Sequence, residues 1–233
     1  MSKTTVCVTI PFKKPKPNSD LVVFNDIRPF IPEWDSVAYI KGCSRYAMQY
    51  KVYLVPARVV IDNTLYLCLI DPNGEILGVQ GASHVSLAYH EKFIPDNRVN
   101  IISTQIGKIF LCVDVDIYQP AILRNAALQG ANIVVSSQYV DSYQFTRELI
   151  STGIWNSAQQ NPFYVVGCCN FFKAVAAPMA TTQDSSGYIA QPSNESTLVA
   201  NLYLHKLQKD INLPNPLQNK AFALEFAKTM LTE

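Results

Sequence analysis

The apolar residues of this 233-residue chain fall mostly into short runs and two-residue alternations, broken by fewer stretches of helical spacing. Residues 5–10 alternate and are β-branched, which predicts a strand. Residues 11–20, with three prolines, an Asn and a Ser, predict a loop. Leu21-Val22-Val23-Phe24 is a continuous apolar run, the pattern of a strand covered on both faces. Val37, Ile40, Tyr46 and Met48 fall at helical spacing over 34–50, behind a cap at Asp35. Strands are expected over 52–60 and 65–70, joined at Asp62-Asn63, with the turn Asp71-Pro72-Asn73-Gly74 and an extended stretch 75–79 after them. Residues 80–100 are polar and mixed and predict a loop. Then follow Ile101-Ile102, a buried strand over 107–116 with a polar exit, a helix over 119–128 closed by Gly130, and a strand over 133–136. A helix over 143–160, a strand over 163–169, a flexible small-residue stretch over 171–187, a strand over 196–204 and a helix over 221–231 complete the order. No repeat, linker or second unit interrupts it, so one α/β domain over 1–233 is expected.

Composition changes this picture little. Apolar residues make up 48% and charged residues 16%, somewhat below the usual quarter, which fits a homodimer or higher homo-oligomer that hides part of its surface. The net charge of +1 gives no field for nucleic acid or an anionic membrane. The basic cluster Lys13-Lys14-Pro15-Lys16 is broken by proline and reads as a solvated turn. No run reaches the roughly twenty apolar residues of a membrane helix, and the opening residues do not make a signal peptide. Cys7, Cys43, Cys68, Cys112, Cys168 and Cys169 lie in apolar contexts without CxxC or zinc spacing. They are expected to be reduced, buried thiols of a cytoplasmic protein.

Side chains at the carboxyl end of a strand face the crevice where α/β proteins keep their chemistry, which directs attention to Gly107–Asp116. This segment resembles the nucleophile strand of the nitrilase (carbon–nitrogen hydrolase) superfamily: Gly107, Lys108, Ile109, Asp116 and Pro120 match its pattern. Further pieces resemble the same superfamily in order, among them Leu21-Val22-Val23-Phe24, Leu69 to Ile76, Phe93-Ile94-Pro95, Gly130 to Ser136, Trp155 to Asn170 and Glu195 to Leu202. The resemblance covers about residues 20–220. It implies a four-layer α-β-β-α sandwich that dimerises through helices beside the active site, shortened here because 11–20 is too short and proline-rich for the usual first helix.

The superfamily acts through a Glu base, a Lys that stabilises the oxyanion and a Cys nucleophile. At the matching positions this chain holds Asp26, Ala82 and Asp114, with His84 close by. Ala82 removes the cation and Asp114 is a poor nucleophile toward an amide, so the resemblance implies a non-hydrolytic member with a pocket for a small molecule or a partner. The competing register uses Cys112-Val113-Asp114 as Cys-x-Asp. It makes Cys112 the nucleophile, Lys92 the cation and Glu91 or Asp26 the base of an active amidase, with Cys112 on the same strand face as Asp114 and about 6.6–6.8 Å deeper. Asp26, Asp114 and Asp116 with His84 or His90 could also hold a divalent cation, but the resemblance gives Asp116 a structural role, and no metal or cofactor is expected. Trp34 and Trp155 read as core or interface, and Cys168-Cys169 as packing. Tyr139, Tyr143 and Phe145 could line the pocket or a dimer seam.

Overall fold

The computed structural model describes residues 3–86, 89, 91–140, 146–170 and 172–207. The expected helix over 221–231, the start of the one over 143–160, His90, Tyr143 and Phe145 lie outside the described residues. Two sheets stack face to face. The first runs β13 (Thr197–Leu202), β1 (Thr4–Thr9), β2 (Leu21–Phe24), β3 (Tyr53–Val55), β5 (Thr64–Ile70), β4 (Val59–Ile61), with β6 (Ile76–Gly81) paired to β5. The second runs β12 (Tyr188–Ser193), β11 (Phe172–Ala176), β10 (Tyr164–Cys169), β9 (Ile133–Gln138), β8 (Gly107–Val113), β7 (Ile101–Thr104). Strands β1, β2 and β3 are parallel, as are β8, β9 and β10, so their carboxyl ends gather at one end of the sandwich.

Among the described residues, alternation along the strands builds three large cores, beside a small fourth cluster of Ile31, Ala57 and Val59. Val6, Val8, Val23 and Leu67 of the first sheet meet Ile109, Leu111, Val135 and Val166 of the second. The other face of the second sheet, with Phe110, Cys112, Val134 and Val165, packs under α2 (Pro120–Leu128) and α4 (Asn156–Gln160) through Leu123, Ala126 and Ala158. The outer face of the first sheet, with Cys7, Val22, Phe24 and Leu54, packs under α1 (Glu33–Tyr50) through Cys43, Tyr46 and Ala47. This is the expected α-β-β-α order.

The expected missing helix is missing, and a ring covers part of its place. Residues 10–20 form a loop whose Phe12 packs against Phe24, Tyr39 and Tyr46, with ring centroids 5.4, 5.8 and 6.4 Å apart. Tyr46 Oη donates to the Lys13 carbonyl at 2.6 Å. The antiparallel ladder of β1 and β13 also carries polar side-chain pairs, Thr5 with Asn201 at 3.0 Å and Thr9 with Thr197 at 3.1 Å.

Several boundaries differ from the pattern. The run 52–60 is two strands separated by Pro56-Ala57-Arg58, since proline supplies no ladder donor and Arg58 turns inward. The stretch 171–187 contains β11, and β12 follows at 188; Lys173, Ala174 and Ala176 are weak strand formers whose burial outweighs propensity. The 147–160 helix is α3 (Arg147–Ile150), a π turn (Ser151–Trp155) and α4. Trp34 is not core: it is 83% exposed on α1. Trp155 is half-buried and donates to the Ser186 carbonyl at 2.8 Å. Among the described residues no helix is long and apolar enough to cross a membrane.

Candidate functional site

Strand β8 ends abruptly. Its inward residues Ile109, Leu111 and Val113 belong to the inter-sheet core, and Asp114 then opens a 3-10 turn (Asp114–Tyr118) at φ +49°. That left-handed conformation is one Asp tolerates better than most residues, and it ends the strand's alternation. Cys112 and Asp114 therefore do not share a face. Cys112 is fully buried in the helix-facing layer beside Phe110, Leu123 and Ala126. Asp114 reaches instead toward the first sheet, where its Oδ1 accepts from Arg58 Nη1 at 3.4 Å and from the Tyr139 N–H at 2.9 Å.

Arg58 is the residue that sequence reasoning missed. It sits between β3 and β4 with its side chain only 1% exposed. Its signal was a single charge inside the otherwise apolar run 52–60, which reads most simply as a strand with one outward residue. Its Nη2 donates to the Arg28 carbonyl at 3.0 Å, and its Nε is buried without a partner among the described residues.

Asp26 follows β2 at the same end of the sandwich. Its carboxylate, 5% exposed, takes a fork from Arg28: Nε at 3.0 Å to Oδ1, Nη2 at 2.5 Å to Oδ2, with the Arg28 N–H also on Oδ1 at 3.0 Å. Arg28 itself is 54% exposed, so its guanidinium lies over the carboxylate on the solvent side. Its pKa is raised, first by the hydrogen bonds to Asp26. Asp26 and Asp114 are thus joined through two arginines: Asp26 to Arg28, the Arg28 carbonyl to Arg58, and Arg58 to Asp114.

Ala82, fully buried after β6, adjoins the same cluster through its neighbours. Asp116 Oδ2 accepts from the Ser83 N–H at 2.8 Å, and Oδ1 from the His84 N–H at 2.8 Å and from His84 Nδ1 at 3.0 Å. Asp116 therefore ties the 82–84 segment to the exit of β8. Burial raises the pKa of Asp114, with Arg58 and the Tyr139 N–H pulling the other way. Burial likewise raises Asp116, against Ser83 and His84. The Cys112 thiol is pushed well above its ordinary value, first by burial and then by Asp116 and Asp114.

The residues of the competing register are not gathered here. Lys92 and Glu91 are exposed, and Lys92 Nζ lies 5.9 Å from the centre of the Tyr89 ring. Two further thiols feel the charge of Arg58, which works against the rise that burial causes. Cys168 Sγ faces the inter-sheet core 3.9 Å from the Phe24 carbonyl, and Cys169 is pushed up to about 12 by burial. Among the described residues no three His, Cys, Asp or Glu side chains form a metal-binding group. His84, Asp26 and Asp114 each have the partner described above.

No family model matches the chain, and no curated protein matches it. Solved structures do. A carbon–nitrogen hydrolase from Helicobacter pylori G27 superposes with a TM-score of 0.78 at 16% identity, over 99% of each chain. Saccharomyces cerevisiae Nit3, a member of branch 10 of the nitrilase superfamily, gives 0.71 at 14% identity over 93% of this chain and 97% of that one. A variant of the Nesterenkonia AN1 amidase from the nitrilase superfamily gives 0.66 at 14% identity over 89% and 94%. Another variant of the Nesterenkonia amidase carries the acetamide moiety of fluoroacetamide covalently at its active-site cysteine. At these identities the likeness is one of fold: the chain has the nitrilase-like fold of carbon–nitrogen hydrolases.

Proposed function

We propose that residues 1–233 form one nitrilase-like domain that does not hydrolyse carbon–nitrogen bonds and keeps its strand-end site for binding a small molecule or a partner. The observation that carries this reading is the ion pair at the end of β8. The position that resembles the nucleophile's is an aspartate held by a buried arginine, and the thiol two residues earlier faces the helix layer. Attack on an amide carbon needs a thiolate within reach of the substrate and a cation where the oxyanion forms. Cys112 is closed off and its thiolate is disfavoured by burial, while Arg58 Nη1 is engaged by the Asp114 carboxylate.

The amidase reading would require Cys112 to turn through the sheet and Lys92 to leave the surface, which weighs against it. The six buried thiols support a reducing, cytoplasmic setting. The exposed Trp34 and Val37 on α1 support a homodimer, which light scattering after size exclusion tests. The function itself is tested by ammonia release from short aliphatic amides and nitriles. Release at the rate of a heat-denatured blank is expected; turnover that disappears in Cys112→Ser would overturn the reading.

A further inference from the structure

Arg58 is the most conspicuous unfinished group in the fold. A guanidinium buried from water needs its N–H donors paired, yet among the described residues Nε has no partner and the side chain engages Asp114 and the Arg28 carbonyl. The contact to Asp114, at 3.4 Å, is longer than the roughly 2.7–2.9 Å of a well-made charge-assisted bond. Asp114 also spends Oδ1 on two donors at once, Arg58 and the Tyr139 N–H. The pair is loosely closed from both sides, and at its solvent side stands a second guanidinium, half-exposed Arg28.

We propose that this cluster binds a small aliphatic carboxylate, which docks on the guanidinium of Arg58 after passing Arg28. The inference rests on the non-hydrolytic reading above and names the ligand of that same site. A carboxylate is the anion whose two oxygens match the parallel N–H fork of a guanidinium, and it supplies the acceptor that Nε lacks. Arg28 adds positive potential at the entrance, where it raises the local concentration of anions. The bound carboxylate takes the Nε edge of the guanidinium while Asp114 holds Nη1, so Asp114 sets the affinity from the opposite side: its negative charge weakens binding.

The test uses the full chain and follows the Arg58 Nε–H resonance by 1H–15N correlation while sodium acetate or propionate is added at constant ionic strength. A saturable shift is expected with both carboxylates, and none with acetamide, the neutral isostere, or with chloride. Asp114→Asn removes the opposing charge and keeps a residue that tolerates φ > 0, so it is expected to tighten acetate binding about tenfold, the effect of roughly 1.4 kcal/mol. Arg58→Gln is expected to abolish binding; if that variant does not fold, the Asp114→Asn comparison decides alone. No saturable shift in either wild type or Asp114→Asn overturns the proposal, as does sulfate binding equal to acetate. Either result leaves the non-hydrolytic reading standing, because ammonia release is measured separately.

Discussion

Removing either member of the Arg58–Asp114 pair leaves the other buried, and a double-mutant cycle measures what that costs. At 3.4 Å and an effective dielectric constant of ~20, two unit charges attract by about 5 kcal/mol before desolvation is counted. Arg58→Met keeps the length and removes the charge. It strands a carboxylate that is 5% exposed and, among the described residues, retains the Tyr139 N–H alone. Breaking a buried pair from one side costs about 3–5 kcal/mol, whereas replacing both members comes much nearer to neutral. Asp114→Asn is the right counterpart because Asn tolerates φ +49°, where alanine would add backbone strain. Since Asp114 can shed part of the penalty by taking up a proton, the expected coupling is about 2–4 kcal/mol, with the double variant less destabilised than the sum of the singles. The assay is urea unfolding of the four proteins at pH 7 by circular dichroism. Additivity within about 0.5 kcal/mol would refute the claim that these two side chains neutralise one another.

Three further outcomes follow from the same geometry. Asp116→Ala removes the acceptor of the Ser83 and His84 N–H groups and is expected to cost about 2–3 kcal/mol, with amide exchange accelerated first at those two residues; unchanged protection there would count against Asp116 as the tie between β8 and the 82–84 segment. The Asp114 pKa is raised, so the folded state binds this proton more readily than the unfolded one. Its stabilising contribution is full below the ordinary Asp pKa and is lost as pH rises through the folded value, so the stability of wild type relative to Asp114→Asn is expected to fall as pH rises from the ordinary Asp range; a difference that grows with pH would be the wrong sign. Phe12→Ala uncovers Phe24 and Tyr46, and because Phe12 is itself 48% exposed the expected loss in urea unfolding is about 1–2 kcal/mol, below the roughly 3–5 of a fully buried Phe.

The layers were legible because alternation and helical spacing record which face of an element is buried. The continuous run 21–24 gave β2, and the short proline-rich stretch 11–20 excluded a helix before β2. What the pattern could not show is how Phe12 compensates, since one aromatic residue in a loop has no periodicity. The 52–60 run read as one strand because its apolar content hides the break at Pro56-Ala57-Arg58. β11 was missed because Ala174 and Ala176 are selected for size, with propensity secondary. At the site, Asp26, Ala82 and Asp114 were reached through resemblance to the nitrilase superfamily. Arg58 was invisible to it, because its role depends on a contact between sheets 56 residues apart in sequence. The face of Cys112 relative to Asp114 was misjudged for a local reason: a left-handed residue at the strand end breaks the two-residue period on which such a judgement rests.

The most direct test of a site without a nucleophile is the intact mass of the protein after incubation with fluoroacetamide at neutral pH. An unchanged mass is expected, because all six thiols are buried and the one on β8 faces the helix layer. An added acetamide group mapped to Cys112 would contradict that expectation and return the chain to the hydrolases.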